Sequence, residues 1–358
     1  MAKLKLDKNR TMYKNQLSVL AAFIALIFSG TLYAQPGEGD DKFFMLVLGD
    51  SITKGVWADT TLGEGNPKFY WEMPLIEVHM KMLQLLSGKR VNDLSNTKKY
   101  ATLIDRNFDY ISRRNLSALI GDQPYSIPSL LKKAQSREIE VFDASILAGC
   151  YQISNLIFAK IEKFYLEHKD HHDPDLVFLN FSAMDFVFNA TIDDFEDNVR
   201  QTFARVAQRF PNTTIVVTPL LDVVSMMTAS YAMVTLPAKF GVNALRCADS
   251  YRKIGFDVAV GVTATISEQE IFDKTAKLAA MQRVLDSEIS ALQDQTGPAA
   301  YEQFSGRVIR VDPLPVPGGR WSPYLAVDCI HPNTAGQRLI GQNIWRALQN
   351  DRSITDAD

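Results

Sequence analysis

The sequence has few cysteines and no excess of charge of either sign. Three cysteines in 358 residues are too few for a small disulfide scaffold, and an odd count leaves at least one free or paired outside the chain. Their disulfide status stays open, and we expect Cys150, Cys247 and Cys329 to serve mainly as small buried side chains. The formal net charge of −3, without an Arg/Lys stripe, indicates no nucleic-acid partner.

An apolar run lies near the N-terminus, and it is shorter than a typical membrane-spanning helix. Basic residues in the first 14 positions precede the run Leu17–Phe28, and small residues follow it up to Ala34. This is the layout of a secretory signal peptide over residues 1–34, followed by a polar linker over residues 35–42. An uncleaved N-terminal anchor is the alternative. Either way we expect an exported domain, periplasmic or secreted.

Short apolar runs recur through the rest of the chain, without internal repeats or low-complexity tracts. We predict five strands, over residues 43–48, 139–143, 176–181, 213–218 and 307–311. Helical segments such as Phe195–Phe210 separate them, and this alternation predicts an α/β domain with a parallel sheet and right-handed crossovers. The domain spans residues 43–350, with long insertions at about 56–133 and 220–304 and a tail over residues 351–358.

A serine follows the first predicted strand, where open α/β sheets bind their ligands. The apolar run Phe43–Leu48 stops at Gly49-Asp50-Ser51, and a serine in this position is a candidate nucleophile if a base can reach it. Near the other end of the chain, Asp328 lies three residues before His331, so one loop supplies a base and a carboxylate to orient it. The alternative is a serine in an ordinary turn and a histidine that caps a loop.

These two blocks, in this order, resemble the SGNH (GDSL) family of esterases and lipases. The resemblance implies a three-layer, flavodoxin-like sandwich around a five-stranded parallel sheet. It also implies serine ester hydrolysis by Ser51, His331 and Asp328, with no metal and no organic cofactor. The residues around Asp328 look most like the phospholipase B and acyloxyacyl hydrolase branch.

The resemblance further implies an oxyanion hole, and one of its donors is substituted. Backbone N–H groups of Ser51 and Gly149 are expected donors, although Gly149 could instead be a helix-start glycine without a catalytic part. The family's third block reads Gly-x-Asn-Asp, and Met184 stands where its asparagine would donate. A thioether has no hydrogen to donate. The neighbouring Asn180 and Asn189 could substitute, but neither is a clear replacement.

Two further segments carry open alternatives. The Met-rich run over residues 223–234 could line an acyl-chain pocket or form a lid, or it could be an ordinary buried helix. The histidine-rich segment over residues 167–175 favours a solvated turn over a metal site. A closing helix follows His331, with Asn333 or Thr334 as its cap.

We therefore expect a serine carboxylic-ester hydrolase that acts on a lipid or an acylated carbohydrate. A carbohydrate or cell-wall O-acetylesterase is the first alternative. A non-catalytic binding protein on an esterase scaffold is the second. Peripheral contact with a membrane is compatible with the apolar insertions.

Overall fold

The computed structural model of the protein describes residues 42–56, 58–59, 117–146, 149–169, 171–187, 189–230, 234–236, 245–248, 267–326, 328–351 and 354. The predicted signal peptide, nearly all of the linker and most of the first predicted insertion lie outside these residues. None of the helices within the described ranges is long and apolar enough to cross a membrane.

Five parallel strands form the main sheet, as the sequence predicted. The described residues contain seven strands in all, of which β5 and β6 lie outside this sheet: β1 (Phe43–Gly49), β2 (Ile139–Asp143), β3 (Leu176–Asn180), β4 (Thr214–Val217), β5 (Val234–Leu236), β6 (Leu245–Arg246) and β7 (Arg307–Arg310). The main sheet has the order β2-β1-β3-β4-β7, with every neighbouring pair parallel. The short strands β5 and β6 pair antiparallel within the second insertion.

Strand β1 is buried along its whole length, because neighbours pair with both of its edges and helices cover the sheet. Its register pairs Val47 with Asp143 of β2 and Gly49 with Asn180 of β3. The loops that follow β1, β2 and β3 therefore meet at one edge of the sheet.

Helices separate the strands, as predicted from the alternation. They are α1 (Ile127–Gln135), α2 (Ser154–Glu167), α3 (Met184–Val187), α4 (Ile192–Arg209), α5 (Val223–Ser230), α6 (Glu268–Gln293), α7 (Ala299–Glu302) and α8 (Thr334–Asn350). Single 3₁₀ turns occur at Tyr151–Ile153, Pro317–Gly319 and Ser322–Tyr324. The closing helix α8 begins where predicted, and the side chain of Asn333 caps it by accepting the Gly336 N–H at 3.0 Å.

The described part of the Met-rich run is the buried helix α5. Its Val224, Met226 and Met227 side chains belong to the hydrophobic core, and the helix packs against α6 and the Ser322–Tyr324 turn. These contacts favour the reading of an ordinary buried helix for residues 223–230. Residues 231–233 lie outside the described part of the chain.

The histidine-rich turn lies at the amino end of β1, away from the edge that carries Ser51. The ring of His171 packs against the ring of Phe44, with their centroids 4.3 Å apart, and its Nε2 lies 3.2 Å from Glu140. Across the described ranges, no three His, Cys, Asp or Glu side chains are grouped closely enough to hold a metal ion.

Two of the three cysteines form a disulfide, which corrects the expectation that all three serve as small buried side chains. Cys247 follows β6, and its sulfur is bonded to that of Cys329 across 82 positions of sequence. The fold brings the second insertion against the Asp328–His331 loop, and no local pattern in the sequence predicts this contact. Cys150, outside this disulfide, is buried.

Candidate active site

Ser51, His331 and Asp328 converge in space, as predicted. Nε2 of His331 lies 2.6 Å from Oγ of Ser51, although the two residues are 280 positions apart. The other ring nitrogen, Nδ1, is hydrogen-bonded to Oδ2 of Asp328. Ser51 and His331 are each 2% exposed. A hydrogen-bonded chain from a hydroxyl through an imidazole to a carboxylate is the arrangement that activates a serine nucleophile.

The loop that carries His331 is a narrow antiparallel turn. A β-bridge between Leu325 and Pro332 closes its base, where the N–H of Ala326 also donates to the His331 carbonyl at 2.7 Å. At its tip, Oδ1 of Asp328 accepts the N–H groups of Ile330 at 3.1 Å and His331 at 3.0 Å. The Asp328 carboxylate therefore orders the backbone of the turn with one oxygen and the imidazole with the other.

The start of α8 ties this loop to the loop after β1. The Gln337 side chain donates to the carbonyl of Ile52 at 2.8 Å, and the backbone N–H of Thr334 donates to the carbonyl of Ala58 at 2.6 Å. Helix α8 thereby fixes the loop that follows the serine next to the loop that carries the histidine.

The turn that presents Ser51 is ordered by its neighbour Asp50. The Asp50 carboxylate accepts the N–H groups of Ile52 at 2.9 Å and Thr53 at 3.3 Å, a local turn typical of aspartate. Burial raises the pKa of Asp50 to about 6. In the described residues, no acceptor is bonded to the N–H of Ser51 itself.

Asp328 is held in its ionised form. Burial acts to raise its pKa, but the charge of His331 and the hydrogen bonds from His331 and Ile330 outweigh burial. The pKa of Asp328 therefore lies below its ordinary value. An ionised carboxylate in this place stabilises the imidazolium that forms when His331 takes up a proton.

Gly149 lies directly against the backbone of the serine turn. A Cβ on Gly149 would lie 2.2 Å from the carbonyl oxygen of Gly49, so no other residue fits here without a shift of the backbone. The N–H of Gly149 donates to the carbonyl of Ile146 at 3.0 Å. Close packing thus requires the glycine, while its N–H is directed into its own turn.

The third block keeps the backbone shape that its glycine would favour. Ser182 has φ 48°, in the left-handed region that glycine adopts readily, which supports the alignment of Ser182 with the family's glycine. Met184 is the first residue of α3 and is 8% exposed.

Both candidate replacements for the missing donor have other partners. The Asn180 amide donates to the Thr53 hydroxyl at 2.8 Å, and its carbonyl oxygen accepts from the Thr218 hydroxyl at 2.7 Å. Asn189 accepts from the Lys277 ammonium group at 2.8 Å, in an exposed position. Asn180 is therefore bonded through both its amide and its oxygen, whereas the bond to Asn189 uses its side-chain oxygen and not its amide.

Three buried titratable side chains, those of Asp185, Lys54 and Asp143, had no role predicted from the sequence. Asp185 accepts the N–H groups of Tyr151 at 2.8 Å and Gln152 at 3.1 Å, so it caps the turn that follows Gly149, and burial raises its pKa to about 7. Lys54 forms an ion pair with Asp143 at 3.2 Å, with side chains only 2% and 5% exposed. In the sequence, the match of Asp185 to the third block was the one indication of its importance, and no pattern marked Lys54.

A cavity of about 160 Å³ lies at the carboxyl ends of β3, β4 and β7. Its lining is mainly apolar and includes Ile52, Leu220, Leu221, Trp321, Ile340 and Ile344. Ile52 directly follows the serine, and neither Ser51 nor His331 is among the lining residues.

Comparison with known proteins identifies the family. The model of the GDSL-like lipase/acylhydrolase family matches residues 45–344, from β1 to α8. An extracellular lipase from Streptomyces rimosus is a similar solved structure, with 11% identity and a TM-score of 0.36, over 85% of this chain and 99% of that chain. No curated protein sequence matches the chain. The family match does not separate branches, so the likeness to the phospholipase B and acyloxyacyl hydrolase branch stays a prediction. Because the match covers most of the chain, the protein belongs to the GDSL-like lipase/acylhydrolase family and is a serine ester hydrolase.

Proposed function

We propose that the protein is an exported carboxylic-ester hydrolase with Ser51 as nucleophile, His331 as general base and acid, and Asp328 as the group that orients His331. The observation that carries the proposal is the 2.6 Å separation between Ser51 Oγ and His331 Nε2, with Asp328 on the opposite ring nitrogen. For Ser51 to donate its proton to Nε2, the neutral His331 ring must carry its own proton on Nδ1, and the ionised Asp328 stabilises this tautomer.

The reaction runs in two halves. Ser51 Oγ attacks the ester carbonyl while its proton passes to Nε2 of His331, and His331 then returns a proton to the leaving alcohol. In the second half, His331 takes a proton from a water that attacks the same carbonyl. The bond between that carbon and Ser51 Oγ then breaks, His331 returns the proton to Oγ, and the carboxylic acid leaves. Asp328 keeps the imidazole in place through both halves and stabilises its cationic form.

The oxyanion hole has fewer hydrogen-bond donors than this mechanism normally uses. The N–H of Ser51 is available to the negative charge that develops on the carbonyl oxygen. The N–H of Gly149 would have to turn from the Ile146 carbonyl to contribute, and Met184 has no donor. We therefore propose a slow esterase on simple substrates.

We favour an ester with an acyl chain of medium length as the substrate, and the cavity beside Ile52 supports this choice. An apolar cavity of about 150 Å³ accommodates a ligand the size of benzene, so this one suits an aliphatic tail of about six carbons. An acyl chain attached at Ser51 would enter past Ile52 or Ser182, which both line the cavity. The apolar lining favours a chain of this kind over an acetyl group.

Labelling with a fluorophosphonate probe tests the nucleophile. The wild type should be labelled with one probe per chain, and Ser51→Ala should not be labelled. Failure of the folded wild type to react would support the alternative of a binding protein on an esterase scaffold.

A series of p-nitrophenyl esters with increasing acyl length tests the substrate class. Activity should peak at medium chains, and Leu221→Phe, which fills the cavity, should shift the optimum toward acetate while acetate hydrolysis serves as the internal control. A steep loss of wild-type activity beyond short acyl groups would instead favour an O-acetylesterase.

The proposed export rests on residues 1–34. N-terminal sequencing of the exported protein should begin at Gln35 if the segment is a cleaved signal peptide. An intact N-terminus on membrane-bound protein would favour the uncleaved anchor.

A further inference from the structure

The Cys247–Cys329 disulfide joins the catalytic loop to the second insertion. Cys329 directly follows Asp328 and lies two positions before His331, whereas Cys247 directly follows β6. Both side chains are fully buried. The disulfide is therefore a covalent link between the loop that carries two of the proposed catalytic residues and a separate part of the fold.

Different hydrogen bonds order the base and the tip of the loop. Its base is closed by the Leu325–Pro332 bridge and by the bond from Ala326 N–H to the His331 carbonyl. The tip carries Asp328 and Cys329, and both bonds to Asp328 Oδ1 come from the next three residues of the same tip. The direction of the Asp328 carboxylate thus depends on the conformation of the tip.

Cys329 adopts an unfavourable backbone conformation within this tip. Its φ of 67° lies in the left-handed region, which residues other than glycine rarely occupy. Such a conformation persists where the surroundings constrain it. The Cys329 N–H donates to the Ala326 carbonyl at 3.0 Å, and the disulfide links Cys329 to the insertion.

We infer that Cys247–Cys329 is a positioning disulfide: it holds the tip so that Asp328 faces Nδ1 of His331, and loss of the disulfide slows the chemistry in a protein that remains folded. The inference rests on the proposed function, because it assigns Asp328 to the orientation of His331. Cys247 and Cys329 themselves do not contact the reacting atoms in this proposal.

Reduction follows ordinary thiol–disulfide exchange. A thiolate of a dithiol reductant attacks one sulfur, the other cysteine leaves as a thiolate and takes up a proton, and the second thiol of the reductant resolves the mixed disulfide. The two electrons come from the reductant, which ends as a cyclic disulfide. Because both sulfurs are buried, the exchange requires opening of the loop, and we expect it to be slow in the native protein.

The variant Cys247→Ser removes the disulfide without changing a residue of the catalytic loop. The experiment compares full-length wild type and Cys247→Ser by fluorophosphonate labelling, and measures both the rate and the final labelled fraction. Misplacement of a catalytic group by about 1 Å can reduce the rate about a hundredfold. We expect labelling at least about tenfold slower in Cys247→Ser, with the same final fraction as the wild type.

The two readouts separate positioning from loss of folded protein. An unchanged rate would overturn the inference, whatever the final fraction, because unfolding lowers only the amount of reactive enzyme. Prolonged treatment with dithiothreitol should slow the wild type and leave Cys247→Ser unaffected. Equal slowing of both would place the effect outside this disulfide and also overturn the inference. Absence of Ser51-dependent labelling in the oxidised wild type would instead be a failure of the proposed function.

Discussion

Replacement of Met184 by asparagine is the most direct test of the oxyanion hole. Met184 occupies the position of a donor in the family's third block, and the left-handed Ser182 two residues earlier indicates that the block keeps its backbone shape. Asn180 and Asn189 are hydrogen-bonded elsewhere. An asparagine at position 184 would therefore supply a donor that the wild-type site lacks.

The expected size of the effect follows from the value of one oxyanion donor. Removal of such a donor typically lowers kcat by about 10²–10³-fold, or about 2.7–4 kcal/mol of transition-state stabilisation. A new donor without supporting contacts should recover part of this, so we expect Met184→Asn to raise kcat by about 10- to 100-fold. An amide that does not find a partner at this buried position would lower the free energy of unfolding by about 1–3 kcal/mol.

The assay is steady-state hydrolysis of a p-nitrophenyl ester of medium chain length, with Met184→Leu as the matched control. Leucine keeps the apolar volume and adds no donor, so its kcat should equal that of the wild type. The reasoning is refuted if Met184→Asn folds normally with unchanged kcat while the wild type already turns over at about 1–10³ s⁻¹, the range of typical enzymes.

Three further predictions concern the residues around the site. Gly149→Ala should abolish fluorophosphonate labelling, because its Cβ would lie 2.2 Å from the Gly49 carbonyl oxygen; labelling at the wild-type rate would contradict this packing. Burial raises the pKa of Asp185 from 3.8 to about 7, so folding takes up a proton between these pH values. The free energy of unfolding should therefore fall as the pH rises through this window, by up to about 4 kcal/mol. Urea titrations at several pH values should show this slope in the wild type and a flatter one in Asp185→Asn, and equal slopes would argue against it. Cys247→Ser removes the Cys247–Cys329 link, which closes a loop of 82 positions of sequence, so the free energy of unfolding should fall by about 4 kcal/mol. A urea titration at fixed pH measures this, and an unchanged midpoint would contradict it.

The elements that the sequence predicted well are those with local signals. The run Phe43–Leu48 is apolar at every position because β1 is covered on both faces, and Gly49-Asp50-Ser51 ends it because these residues form turns. The closing helix was predicted with its cap because Asn333 binds a backbone N–H three residues ahead. The candidate nucleophile and base were found for the same reason: each lies in a short block at the end of a predicted element.

The sequence by itself thus determined the α/β class, the five strands and the identity of the proposed catalytic residues, because apolar periodicity and turn residues act over a few positions. Only the tertiary structure decided which distant side chains become partners. The parallel register places Gly49 beside Asn180, whose amide is then bonded to Thr53 and Thr218 and is unavailable to an oxyanion. The same edge of the sheet brings Asp185 to the turn after Gly149, and the second insertion brings Cys247 to Cys329. Each of these contacts joins separate elements, and the pattern of buried positions along a chain specifies that a side chain is covered but not which neighbour covers it.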